Sequence, residues 1–296
     1  MPAVQAAKGK SLPETRAAPL ENLDVRLGGK VGGRGKASGE RLDELQRLKQ
    51  AVPGVSVEFD PITGTARWIS SPEALLSLPQ KKLASNEPDA PVRLFIEANR
   101  NLFGHGPEVL DQSRRITDYT PERSIARKVV WHQQLDGIDI FEAVFQANLT
   151  ESSALINIGS QMIADPAAAA GEDRRQVVAA PPVSPEQAVA VAGKNVGERV
   201  TPRTVRPAGP PAAQPDRRQV FRAAMLTDAE AKLAWVPMSP TSLRLAWDVT
   251  VSTRTKAEMH RVLVDARSGE VLVRQSLTAY LGEGSYRVFT AESPTP

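Results

Sequence analysis

The sequence predicts an α+β protein of two small helix-plus-antiparallel-sheet units, joined by a Pro/Ala-rich linker and preceded by a disordered N-terminal leader. Three observations predict it. Strict alternation of apolar and polar residues, the mark of half-buried strands, occurs in two separate clusters, at 129–149 and 243–274. Each cluster follows a segment with apolar residues at helical spacing, at about 90–103 and from Ser184 to Val196. Between the clusters, alanine and proline dominate 166–183, a composition that suits a connection and not a core.

Taken in order, residues 1–38 are polar, Gly/Lys-rich and without period, which predicts the leader. Its LGGKVGGRGKAS run is not a phosphate loop: Gly35-Lys36 would need glycine at Lys30 and Ser or Thr at Ala37. The first unit spans 39–165. Leu42, Leu45 and Leu48 lie a turn apart in a short helix, and Val55, Val57 and Phe59 alternate before a Pro61–Gly64 turn and a return strand carrying Ala66 and Trp68. In the 90–103 helix Pro91 suits the first turn, Val92, Phe95, Ile96, Asn99 and Phe103 form one face, and Gly104 supplies the stop. VVWHQQL and IDIFEAVFQANL then flank Asp136-Gly137, a type I′ turn signal. Alternation predicts Phe141, Ala143, Phe145, Ala147 and Leu149 on one face, with Ile140, Glu142, Val144 and Gln146 on the other. ALINIGSQMI is the third strand.

After the 166–183 linker, the second unit spans 184–280. Ser184 reads as an N-cap, Pro185 as the first helical residue and Gln187 as the partner in a capping box, before a small apolar face of Ala188, Val191, Ala192 and Val196. A Pro-rich insert at 201–217 is expected to be mobile. The closing meander, about 232–277, contains Leu243, Leu245, Trp247, Val249 and Val251 in strict alternation, and MHRVLVD pairs with EVLVRQ across the Asp265–Gly269 turn. Residues 281–296 lie beyond the last predicted strand and read as a tail.

Composition excludes several classes. Net charge is only +3, from 37 basic and 34 acidic residues spread throughout, so no basic face and no nucleic-acid partner are expected. With no cysteine there is no disulfide, thiolate site or thiol nucleophile. No apolar run approaches the roughly 20 residues of a membrane span, and no signal peptide is visible at the start. A zinc protease would carry HExxH, two ligands one helical turn apart and a glutamate base. Here His105, His132 and His260 precede Gly106, Gln133 and Arg261, far from one another. Gly159-Ser160 and Gly284-Ser285 lack the frame of a nucleophile elbow. His132 and His260 fit cross-strand positions, and Asp265 with Glu270 flank a turn, where Asp accepts backbone bonds and Gly supplies positive φ. Asn148-Leu149-Thr150 matches a glycosylation sequon at a strand end and reads as chance. No catalytic, cofactor-binding or metal site is expected.

Three stretches together resemble the pro-region of fungalysin- and thermolysin-type zinc metallopeptidases, a propeptide domain followed by a PepSY-like domain. WHQQLDGIDIFEAVFQANL is similar to the first domain's hairpin through Gln133, Gly137, Ile138, Phe141 and Ala143; Asp139 stands where proline is usual and Glu142 where glycine is usual. SPEQAVAVA is similar to the opening helix of a PepSY unit. The third stretch, with Trp247, Asp265, Ala266, Gly269, Glu270, Val271, Leu272, Leu277 and Thr278, looks like the closing strands of fungalysin pro-regions, with Ser268 for threonine. The resemblance implies a secreted, non-catalytic pro-region that helps a metallopeptidase catalytic domain fold and covers its cleft. Zinc is then expected only in that catalytic domain, which is the partner in cis or in trans. The alternative is a stand-alone PepSY-type protein that inhibits proteases in trans.

Overall fold

The computed structural model describes residues 20–28, 38–78, 88–120 and 126–279. The rest of the leader and the 281–296 tail lie outside them. Six α-helices and thirteen strands form among the described residues, a mixed helix-and-sheet architecture as expected. Where the leader is described it departs from expectation. Residues 20–28 contribute β1 (Leu23–Asp24), and Leu23 pairs with Arg274 at the edge of the last sheet.

In the first unit, α1 (Gly39–Ala51) starts at Ser38, whose Oγ accepts from Arg41 N, and buries Leu45 and Leu48. The hairpin β2 (Ser56–Phe59) and β3 (Ala66–Ser70) follows. The single helix expected at 90–103 is divided into α2 (Ala90–Ala98) and α3 (Arg100–Phe103). Asn99 makes the break, its side-chain amide donating to the Phe95 carbonyl at 2.8 Å in competition with the helical ladder. Gly104 ends α3 at φ +75°, a conformation open to glycine because it has no Cβ. Strands β4 (Ser113–Tyr119), β5 (Ala126–Leu135), β6 (Ile138–Thr150) and β7 (Leu155–Ser160) complete the sheet. Asp136 (φ +52°) and Gly137 (φ +77°) form the predicted I′-type turn between β5 and β6.

The face assignment in β6 needs one correction. Ile138 and Ile140 point to the core in even register, whereas Ala143, Phe145, Ala147 and Leu149 do so in odd register. The parity switches at a bulge where Glu142 takes φ +61° and the pairing with β5 shifts. Phe141 therefore leaves the face it was expected to share and joins a separate cluster with Val236, Ala246 and Leu263. Glycine, which has no Cβ, would meet that φ without strain.

The linker and the insert are also corrected. Residues 166–183 form α4 (Pro166–Ala170) and α5 (Arg174–Ala179), and their Ala169 and Val177 sit in the core of the second unit. Helix α6 (Pro185–Asn195) carries the full capping box: Ser184 Oγ accepts from Gln187 N and Gln187 Oε1 from Ser184 N. The Pro-rich insert includes β8 (Arg206–Pro207), paired with β9 (Gln219–Arg222), and its Asp216 carbonyl accepts from Leu233 N at 2.6 Å. It lies across the β5–β6 turn, where a Cβ on Gly137 would come within 2.8 Å of Pro215.

Strands β10 (Leu226–Ser239), β11 (Ser242–Thr253), β12 (Met259–Asp265) and β13 (Val271–Ser276) form the meander. Its first strand, β10, begins at Leu226, ahead of the expected start near 232. Leu243, Leu245, Trp247, Val249 and Val251 all face α6 as predicted. The opposite face is buried too: Ala246 is inside and Asp248 is held there by Arg261.

The two units are not separated by a tether. Trp235 of β10 pairs in parallel with Ile140 of β6, joining both sheets along one path. Ile138, Ile140, Ala143 and Ile163 of the first unit lie in the same core cluster as Trp247 and Val264 of the second.

Candidate functional site

The residues that carry the family resemblance occupy two places. Gln133, Gly137, Ile138, Phe141 and Ala143 gather in the turn-proximal half of the β5–β6 hairpin, where the units meet. Gln133 is 1 % exposed, and its amide donates to the Ile163 carbonyl at 2.7 Å while its Oε1 accepts from Ile163 N at 2.8 Å. This closed pair satisfies a buried backbone site that would otherwise cost about 1–3 kcal/mol per group. It also fixes the start of the 163–183 connection.

Trp247 fixes the other end. Its indole N–H donates to the Val183 carbonyl at 2.8 Å, from a ring that the α6-facing core surrounds. Asp265, Gly269 and Glu270 build the β12–β13 turn. The Asp265 carboxylate accepts from Arg267 N (2.8 Å) and Ser268 N (2.9 Å), and Gly269 closes the turn at φ +75°. Arg244 reaches Glu270 at 3.1 Å from the neighbouring strand. Ile138 and Ala143 thus share a core with Trp247, while Phe141 lies in another cluster and the Asp265–Glu270 turn stands at the rim.

Clefts flank that turn on both sides. One, about 410 Å³, is lined by Trp235, Leu243, Arg244 and Glu270 under α4 and α5. The other, about 720 Å³, is an apolar trough between α6, the 198–202 loop and the Ser268–Gly269 corner.

The histidines stay apart, as single hydrogen-bonded side chains. His132 Nε2 is 3.0 Å from the Ile140 carbonyl, His260 lies 3.4 Å from Glu258, and His105 Nδ1 is 3.0 Å from the Gly106 carbonyl. Burial pushes the His105 pKa below the ordinary imidazole value, against the smaller opposing effect of that carbonyl. Among the described residues, no three His, Cys, Asp or Glu side chains are grouped to hold a metal. No helix among them is long and apolar enough to cross a membrane.

One charged constellation escaped the sequence reading. Phe141 lies between two guanidinium groups, Arg26 at 5.1 Å and Arg261 at 4.7 Å from the ring centroid. Arg26 pairs with Asp24 (2.7 Å) and Glu142 (2.8 Å), and Arg261 is bidentate with Asp248 at 2.8 and 2.6 Å. Burial opposes charge on Arg26, but the hydrogen bonds it donates to Asp24 and Glu142, with the attraction of their charges, outweigh it, so its pKa is raised. Only the departure from glycine at Glu142 hinted at this network, because Arg26 lies 116 residues away in sequence.

No protein-family model matches the chain. No curated protein matches it. Among solved structures, it is similar to the Bacillus megaterium YpeB C-terminal domain, with 10% identity and a TM-score of 0.29, over 83% of this chain and 100% of that one. At that identity and score the likeness says nothing about activity or partners.

Proposed function

We propose that the chain is a non-catalytic pro-region module of a secreted fungalysin-type zinc metallopeptidase, one that assists the folding of the catalytic domain and occludes its cleft. The catalytic zinc then belongs to the partner domain and not to this chain. One observation carries the reading: two buried side chains of the family pattern, Gln133 and Trp247, tie down opposite ends of the connection at Ile163 and Val183 through hydrogen bonds. These residues make a frame and not a reaction centre. A frame already assembled can stabilise late, non-local contacts of a slowly folding partner.

The test is refolding of a denatured fungalysin-type catalytic domain with and without this chain, followed by digestion of the chain and assay of peptidase activity. A steady-state inhibition titration runs beside it. The expected outcome is raised recovery together with inhibition at micromolar chain. No gain in recovery and no inhibition would reject the reading, whereas inhibition without a folding benefit would favour an inhibitor acting in trans.

A further inference from the structure

The trough beside α6 combines three features that no part of the folding argument uses. Its volume, about 720 Å³, lies within the roughly 300–1,000 Å³ typical of ligand clefts. Its floor and walls are apolar, made by Val183, Ala190, Val191 and Val200. Its polar groups are mostly donors. Lys194 and Arg199 line it from exposed positions, and neither has an acidic partner among the described residues. Gln187 spends its Oε1 on the Ser184 backbone N–H, which leaves its amide N–H₂ without a partner among the described residues. One acid lines the trough, Glu198, and it is 5 % exposed and already accepts from the Thr255 backbone and hydroxyl.

Two residues of the family pattern shape this trough directly. Trp247 holds Val183 in its wall through the Val183 carbonyl, and Gly269 forms its corner with Ser268. Val183 is thus anchored by a buried indole of the second unit.

We infer that this trough binds an extended acidic–apolar segment of a partner protein. Apolar side chains of the segment fill the floor against Val191 and Val200. Its carboxylates meet Lys194 and Arg199, and a backbone carbonyl accepts from Gln187. Acceptor-only ligand groups complement a donor-rich rim, and charge reversal at the rim excludes basic segments by repulsion. The inference does not depend on whether the partner is a protease.

The experiment uses the full chain and a fluorescein-labelled peptide of alternating glutamate and leucine, read by fluorescence polarisation, with an alternating lysine–leucine peptide as control. The Glu/Leu peptide is expected to bind, the Lys/Leu peptide about tenfold more weakly or not at all, and added salt to weaken the complex. The double variant Lys194→Glu/Arg199→Glu should lose about tenfold in affinity. Its far-UV circular dichroism should match the parent, because both side chains are exposed. A second variant, Gln187→Glu, replaces the donor by an acceptor at the same size and should also weaken binding. No binding of the Glu/Leu peptide, equal binding of both peptides, or affinity untouched by the double variant would overturn the inference. So would peptide binding that appears only after residues 280–296 are removed, which would make this chain's own end the occupant. A concentration-dependent dimer abolished by the double variant would instead assign the trough to a second copy, and would overturn it equally.

Discussion

In the first unit the space between sheet and helices is closed by rings. Phe95 meets Phe103 edge-on at 6.3 Å, Phe103 lies 6.1 Å from Phe145, and Phe145 meets Trp131 edge-on at 5.8 Å. In the second unit α6 lies on the meander through Ala188, Ala192 and Gly193, and a Cβ on Gly193 would come within 2.8 Å of Val200. One core is closed by a chain of touching rings; in the other, small residues let α6 approach closely, although Trp235 and Trp247 are buried there too. The two contacts fail differently: a ring cluster is sensitive to lost volume, and the close approach of Gly193 to the Val200 side chain to added volume.

The largest test of that difference is Phe145→Ala. The ring is fully buried and touches two other aromatics, so its loss should cost about 3–5 kcal/mol in urea unfolding. Because β6 pairs with β10 and donates Ile138 and Ile140 to the second core, hydrogen exchange should accelerate in both units. Acceleration confined to residues before 163 would break the single-frame picture.

A mid-sized effect is expected from Gly193→Val. Added volume there must push Val200 away from α6, and the expected loss is about 1–3 kcal/mol. The same change should disturb the trough wall at Val200. A neutral result would show that the close contact is softer than its geometry implies.

The smallest effect is one of pH and belongs to the ring cluster alone. His105 packs 5.8 Å from Phe103 and is buried, and burial lowers its pKa in the folded chain. Below an ordinary imidazole pKa of about 6.5 the unfolded chain takes up a proton that the folded chain resists. Stability from this site is therefore complete above that pH and declines as pH falls below it, by at most about 1.4 kcal/mol per pH unit. His105→Asn should flatten that part of the stability–pH profile. The loss attached to Asp118 lies in a separate window, because the Arg127 hydrogen bond lowers its pKa from an ordinary value, 3.8, that is already acidic. An unchanged slope between neutral pH and about 5 in His105→Asn would remove His105 as the cause.

Much of the fold was legible because its signals are local. The I′ turn at Asp136–Gly137, the capping box at Ser184 and Gln187, and the stop at Gly104 each depend on backbone geometry within a few residues. The alternation from Leu243 to Val251 holds because one sheet face meets α6 throughout. Alternation misled at Phe141, since a bulge inverts the pleat and its local sign, Glu142 in place of glycine, does not say which way the flanking residues will turn.

The sequence by itself determined the strongly patterned elements: the β5–β6 hairpin, the strands β11 to β13, the start of α6, and that two α+β units follow one another. Only the tertiary structure decided how those units are joined. The Pro/Ala-rich connection looked like a tether because alanine and proline have small side chains and no period. It packs instead, through Ala169 and Val177, because Gln133 and Trp247 hold its two ends at Ile163 and Val183. The trough, with Lys194 and Arg199 set around an apolar floor, likewise exists only once the 198–202 loop and the Ser268–Gly269 corner meet α6. Contacts between residues some seventy positions apart are set by packing against a shared sheet, and no local pattern in the chain encodes them.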